Sequence, residues 1–167
     1  MNNLSLHILW ILLTVCGSAM SCKSSQKTGV TPAAEGEPIA FEVLDEGAYC
    51  GVNEQKQVLI RSAAAWQQLW QDLHAGQTGG AELPEVNFDE KWVIACFMGS
   101  RNSGGYRVQL RNVWRQADHI AVSLTHEAPG KNCMATMAIT QPYILVVIDR
   151  QPVDKIQFDI QEVKVDC

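Results

Sequence analysis

The sequence predicts an α+β domain: a mostly antiparallel β-sheet of about seven or eight strands, with one amphipathic helix packed on it. Three observations predict it. A single segment repeats its apolar residues with helical period, placing Trp66, Leu69, Trp70 and Leu73 at i, i+3, i+4 and i+7. Several other segments alternate apolar and polar residues with period two. The connections between those segments are short and rich in turn residues, which implies antiparallel hairpins.

The elements follow in order. Residues 39–49, IAFEVLDEGAY, begin with β-type residues and end at the Cys50-Gly51 turn. Residues 57–61, QVLIR, form a second short strand. Ser62 then offers a hydroxyl to an orphan amide of the first helical turn, and the Trp/Leu stripe runs for about three turns to Ala75-Gly76. At that spacing, beside leucines, Trp66 and Trp70 read as core rather than as a ligand-stacking pair. Residues 77–90 form a loop with Gly-Gly, a proline and four acids.

Residues 91–98, KWVIACFM, are a strongly apolar, central strand. Tyr106, Val108 and Leu110 then alternate with Arg107, Gln109 and Arg111, the pattern of a half-solvated strand. Ile120, Val122 and Leu124 repeat the alternation, and residues 128–132, APGKN, are a turn. The stretch 137–148 is broken at Gln141-Pro142, where proline cannot donate to a ladder. Tyr143–Ile148, YILVVI, is apolar on both faces. The last strand, 155–165, turns Ile156, Phe158 and Ile160 inward.

The N-terminal region predicts an address. Ile8–Cys16 is an almost wholly apolar run, too short to span a bilayer but suited to an export signal. Ala19-Met20-Ser21-Cys22 fits a bacterial lipoprotein cleavage box, with Cys22 the lipidated residue, although the first ten residues lack Lys and Arg. The expected organisation is a signal peptide at 1–21, a lipidated Cys22 with a flexible tether to residue 38, and one domain at 39–167. The expected location is the bacterial cell envelope, anchored to a membrane and exposed to the periplasm or the cell surface.

Composition narrows the function. Hydrophobic residues make up 47%, enough for a real core, and the net charge is −5. An acidic domain without a basic patch is a poor nucleic-acid binder. Gly99–Gly104, GSRNSG, has the G-x-x-x-x-G of a phosphate-binding loop, but Gly105 stands in the lysine place and Tyr106 in the Ser/Thr place. The loop also opens a strand rather than a helix, so no nucleotide is expected. Ser103 has Arg101 where a nucleophile elbow needs glycine. His119 and His126 flank one strand at odd separation, hence on opposite faces, and are poor co-ligands for a metal. Asp45-Glu46 and Asp89-Glu90 are adjacent pairs in loops. No catalytic constellation, metal or cofactor is expected.

After Cys22 the cysteines are Cys50, Cys96, Cys133 and Cys167, which allow three pairings. Cys96 lies in an apolar run and reads as a buried hydrophobe. Cys50 and Cys133 sit beside turn residues, which favours a Cys50–Cys133 bridge over free thiols throughout. With no C-x-x-C, neither a redox dithiol nor a zinc knuckle is signalled.

Taken together, SAAAWQQLW at 62–70, LPEVNFD at 83–89, GSRNSGGY at 99–106, APG at 128–130 and TQPYILVVI at 140–148 resemble the PrcB C-terminal domain. The resemblance covers roughly Phe41 to Phe158. Its most specific parts are Gly104-Gly105-Tyr106 and Gln141-Pro142-Tyr143. Asn87 stands where an acid is usual before Phe88. The resemblance implies a non-catalytic, lipid-anchored accessory protein of the envelope, assisting an exported protease, and brings no catalytic residues with it. The expected contact surface is the rim formed by Arg101, Asn102, Ser103, Gly104, Gly105 and Tyr106 with Pro129 and Lys131, since loops on a rigid sheet commonly carry binding. Two alternatives stand beside it. One is a domain for sugars or peptidoglycan fragments, using Trp92, Trp114 and Tyr106 as a stacking platform. The other is a hydrolase with an unfamiliar cluster of polar groups in a cleft.

Overall fold

Two runs of the sequence are apolar at both odd and even positions, so each must be covered on two sides. In the computed structural model, which describes residues 36–76 and 81–166, these runs are β4 (Lys91–Phe97) and β7 (Tyr143–Asp149). They pair antiparallel from Lys91↔Asp149 to Phe97↔Tyr143. β2 (Phe41–Gly47) flanks β7 and β3 (Lys56–Ile60) flanks β4, giving a sheet of order β2-β7-β4-β3. A second sheet has the order β1-β5-β6-β8, from β1 (Glu37–Pro38), β5 (Arg107–Arg115), β6 (Ile120–Pro129) and β8 (Ile156–Val165). The described residues thus hold eight strands and one helix, α1 (Ala63–Leu73), all within one compact unit.

The two faces of β4 and β7 explain the layering. Trp92, Ile94, Cys96, Ile144, Val146 and Ile148 meet Val108, Leu110, Val113, Ile120, Val122 and Leu124 of the other sheet. The alternate residues Val93, Ala95, Phe97, Tyr143 and Leu145 meet Trp66, Leu69, Trp70 and Leu73 of α1. The order of layers is sheet, sheet, helix. Ser62 caps α1 as its sequence implies, accepting from the Ala65 amide at 3.4 Å. The indole of Trp66 donates to the Pro84 carbonyl at 2.9 Å, and that of Trp70 to the Ala81 carbonyl at 3.1 Å. Both rings are thus buried without an orphan donor, and they tether the loop that leads into β4.

Three expectations are corrected. The strands form two sheets rather than one, because a short loop need not close a hairpin. Residues 98–106 carry the chain from β4 in one sheet to β5 in the other. The last strand is not antiparallel to its neighbour: β6 and β8 pair in parallel over their whole length, from Ile120↔Ile156 to Pro129↔Val165. Parallel neighbours need a crossover, and β7, placed in the other sheet, supplies it. Finally, Glu37 and Pro38, expected within the tether, form β1, paired with Arg115 and Trp114 at the free edge of β5. An ion pair between Glu37 and Arg115 accompanies that pairing, and an edge is where a strand tolerates proline.

Trp66 is 2% exposed and contacts both the sheet and the loop. Trp66→Ala is expected to cost about 3–5 kcal/mol. Urea unfolding checks this, with the half-buried Trp114→Ala costing less than half as much.

Candidate functional site

The ends of β2, β6 and β8 and the starts of β5 and β7 meet around an open groove of about 530 Å³. Gly105, Tyr106, Arg107 and Val108 form one wall, and Glu127 and Pro129 stand beside them. Cys133, Met134 and Ala135 enter from the loop after β6, and Glu46, Gly47 and Tyr143 complete the far side.

Glycine makes the rim possible. Gly105 has φ +84°, and a Cβ on it would lie 3.1 Å from the Pro129 ring. Only glycine fits both the backbone angle and the approach. Gly104 serves differently, since a Cβ there would lie 2.3 Å from the Thr136 hydroxyl. Arg101 and Thr140 form an antiparallel bridge through reciprocal main-chain bonds of 2.8 and 3.0 Å. The Thr140 hydroxyl donates to the Ser103 carbonyl at 2.8 Å. The Arg101 guanidinium lies over the Tyr106 ring, 5.7 Å from its centre. The structure therefore brings Gly105, Tyr106 and Pro129 to the groove. Arg101, Ser103 and Gly104 brace the loop behind it, while Asn102 and Lys131 are exposed and do not line the groove.

One contributor escaped sequence reading. The loop after β6 holds Met134 and Met137 fully exposed and Ile139 64% exposed. Met134 lines the groove, and Met137 and Ile139 stand free on the same loop; apolar patches of this kind mark interaction sites. Methionine also adapts its shape to a partner. The signal is present as MATMAI, but in an α+β reading it resembles the start of a strand.

The polar groups of the groove are few. Arg107 and Glu127 are cross-strand neighbours on β5 and β6. Glu46 approaches from β2. Tyr143 donates to the Asp45 carboxylate at 2.9 Å, and burial first, then this bond and the Asp45 charge, push its phenol well above the usual tyrosine range. Tyr143 is held as a neutral donor to Asp45. Among the described residues no cluster of His, Cys, Asp and Glu could hold a metal. No described helix is long and apolar enough to cross a membrane.

The expected Cys50–Cys133 bridge is not formed. Cys50 is a free, buried thiol that points inward, with its Sγ 3.4 Å from the Gln141 carbonyl. Its backbone is drawn towards the helix end by a 2.7 Å bond from the Gly51 amide to the Leu73 carbonyl. Cys96 is free in the core, where burial pushes its thiol up to about 12. Cys133 is disulfide-bonded, with neither Cys50 nor Cys96 as its partner. Cys22, the expected lipidation residue, lies outside the described residues, as do the expected signal peptide, the expected tether to residue 35 and Cys167.

The aromatic platform is also not assembled. Trp92 is buried between the sheets. Trp114 is half-buried at the far end of β5, opposite Pro38, while Tyr106 stands at the groove. Asn87 holds the turn into β4, where its side chain accepts from the Asp89 amide at 3.2 Å and its carbonyl accepts from Glu90 and Lys91.

His126 is fully buried on β6, with Nδ1 3.2 Å from Glu162 on β8. Burial holds its pKa below the ordinary 6.5, the nearby Arg101 charge acts in the same sense, and Glu162 opposes both. His119, by contrast, pairs with Asp118 at the surface.

With these geometries in place, the class is clear: an α+β domain of two packed sheets and one helix, with a groove at the strand ends. Residues 92–149 match the family model described as PrcB C-terminal. The match runs from β4 through β7 and includes both the Gly104-Gly105-Tyr106 and Gln141-Pro142-Tyr143 motifs. No curated protein and no solved structure matches the chain.

The thiols and the histidine make separate predictions. Peptide mapping will find Cys50 and Cys96 alkylated only after unfolding, and Cys133 only after reduction. For His126 the unfolded chain takes up the proton first on acidification. Its contribution to stability is therefore full above about pH 6.5 and is lost as pH falls below that, by at most about 1.4 kcal/mol per pH unit. Replacing His126 with Gln should flatten the pH 5–7 slope of unfolding free energy relative to wild type.

Proposed function

We propose that the chain is a non-catalytic accessory module that docks a protein partner in its groove, the partner being a component of an exported protease complex. In this reading Cys22 is lipidated and the domain works at the bacterial cell envelope, held off a membrane by the tether. The observation that carries it is the conjunction of the groove with the exposed Met134, Met137 and Ile139. The PrcB C-terminal match over 92–149 supports a protease-complex setting. Apolar anchors entering a pre-formed groove with a polar rim are the usual source of interface affinity. The remaining polar lining, Arg107, Glu127 and Glu46, suits orientation of a bound segment better than acid–base chemistry.

The test is recovery of the anchored chain, with its partners, from its own envelope. Met134→Asp with Met137→Asp should weaken capture of a stoichiometric partner by at least about tenfold, the scale of losing apolar anchors. The melting temperature should not change, since both side chains are fully exposed. Recovery of no stoichiometric protein, or capture indifferent to both substitutions, counts against the reading. The half-exposed Tyr106 beside Glu46 and Glu127 favours a second reading, a sugar-binding groove. Saturable binding of peptidoglycan fragments, abolished by Tyr106→Ala, would favour it instead.

A further inference from the structure

β8 is the long free edge of its sheet. Among the described residues nothing pairs with its outer side. Edge strands are commonly blunted by bulges, proline or lysine. β2 carries a bulge between Val43 and Asp45, and β1 is two residues long and contains Pro38. β8 runs in unbroken register over its full length, with neither bulge nor proline, and carries one lysine, Lys164, near its end.

Its side-chain pattern inverts partway. Ile156, Phe158 and Ile160 face the core while Gln157, Asp159 and Gln161 face out. Beyond Gln161 the inner positions are charged, Glu162 and Lys164, and the outer positions are apolar, Val163 and Val165, each 41% exposed. The register with β6 does not slip to correct this. Val165 borders the groove, but neither the core nor the groove explains Val163 on the outer face.

The edge is also chemically open at those positions. The Lys155 and Val165 carbonyls accept from Ile120 and Gly130, on the β6 side. Odd-numbered residues therefore direct their main-chain groups to β6, and the even-numbered ones, including Glu162 and Lys164, direct theirs outward.

We propose that β8 pairs antiparallel with β8 of a second copy of this chain, about a two-fold axis at Val163. Directly opposite residues in an antiparallel pair share a face, so a two-fold register must place residues of like parity opposite each other. Three such registers bring the Val163–Val165 segment together. Centring on Glu162 sets the two Glu162 carboxylates against each other. Centring on Lys164 sets Lys164 against Lys164 and Glu162 against Asp166. Centring on Val163 places each Glu162 opposite the other copy's Lys164, and Val163 against Val163. Opposite charges face each other only in this last register, and like charges directly opposite destabilise a pair. The outward main-chain groups of Glu162 and Lys164 then bond reciprocally across the axis. The His126–Glu162 contact remains beneath the new pair, so one carboxylate bridges the buried imidazole and the neighbouring ammonium.

The segment is short, so self-association is weak, with Kd on the order of 10 µM to 1 mM. Sedimentation equilibrium of the full chain up to about 1 mM tests it. Lys164→Glu and Glu162→Lys should each weaken self-association by at least about tenfold, since both symmetry-related pairs become repulsive. An equimolar mixture of the two variants should restore dimers, because the charges again complement each other. Lys164→Pro removes an outward amide without touching the β6 ladder, and should abolish dimers while leaving the circular dichroism spectrum unchanged. This variant decides the matter if Glu162→Lys, which also strips His126 of its partner, fails to fold. A chain monomeric at 1 mM overturns the proposal, as does self-association indifferent to Lys164→Pro or a mixture that stays monomeric.

Discussion

The pairing of β4 with β7 is the constraint on which the rest of the structure depends. Both strands are apolar on both faces, so they are stable only when a layer covers each side. One face calls for a second sheet and the other for the Trp/Leu stripe of α1. The ladder satisfies the main-chain groups that such burial would otherwise orphan. It is extended at one end by the Met98 amide on the Pro142 carbonyl and at the other by the Arg150 amide on the Glu90 carbonyl. Pro142 lies just before β7 begins, where its missing N–H costs no bond of that ladder.

The groove is a consequence of that central pair. Because β4 and β5 lie in different sheets, their connection must climb across the end of the sandwich. It does so as Gly99–Tyr106, with positive φ at Gly99 and Gly105. The chain crosses back after β6 through residues 130–142. These two crossings lie side by side, joined by the Arg101–Thr140 bridge and by a 2.9 Å bond from the Gly104 amide to the Thr136 carbonyl. Bracing from behind leaves the front of the loops free, and the second crossing presents Met134 and Met137 to solvent. A rigid scaffold with adaptable apolar side chains at its mouth is the arrangement from which the docking role is drawn.

The second sheet meets different demands. Its inner face is apolar along β5 and β6 until His126, where a buried imidazole replaces an aliphatic residue and takes Glu162 as its partner. The core therefore stops supporting β8 at Ile160. From there the strand is held by its parallel ladder to β6, and Val165 borders the groove.

Much was legible in the residues alone. The helix, its Ser62 cap, the doubly apolar strands and the proline break before Tyr143 each follow from local periodicity and from backbone chemistry that acts within a few residues. The likeness to the PrcB C-terminal family, matched over residues 92–149, was legible in the Gly104-Gly105-Tyr106 and Gln141-Pro142-Tyr143 motifs, because their order and spacing are a property of the chain as written. What only the tertiary structure decided is everything that depends on residues far apart in sequence. The division into two sheets, the parallel β6–β8 pair, the strand role of Glu37 and Pro38, and the inward turn of Cys50 away from Cys133 all belong here. So does the meeting of Gly105 with Pro129 and Met134 in one groove. A period-two pattern says which face of a strand is buried, but not which strand lies beside it. That choice is made by the burial of β4 and β7 from both sides, a demand that no single segment can express.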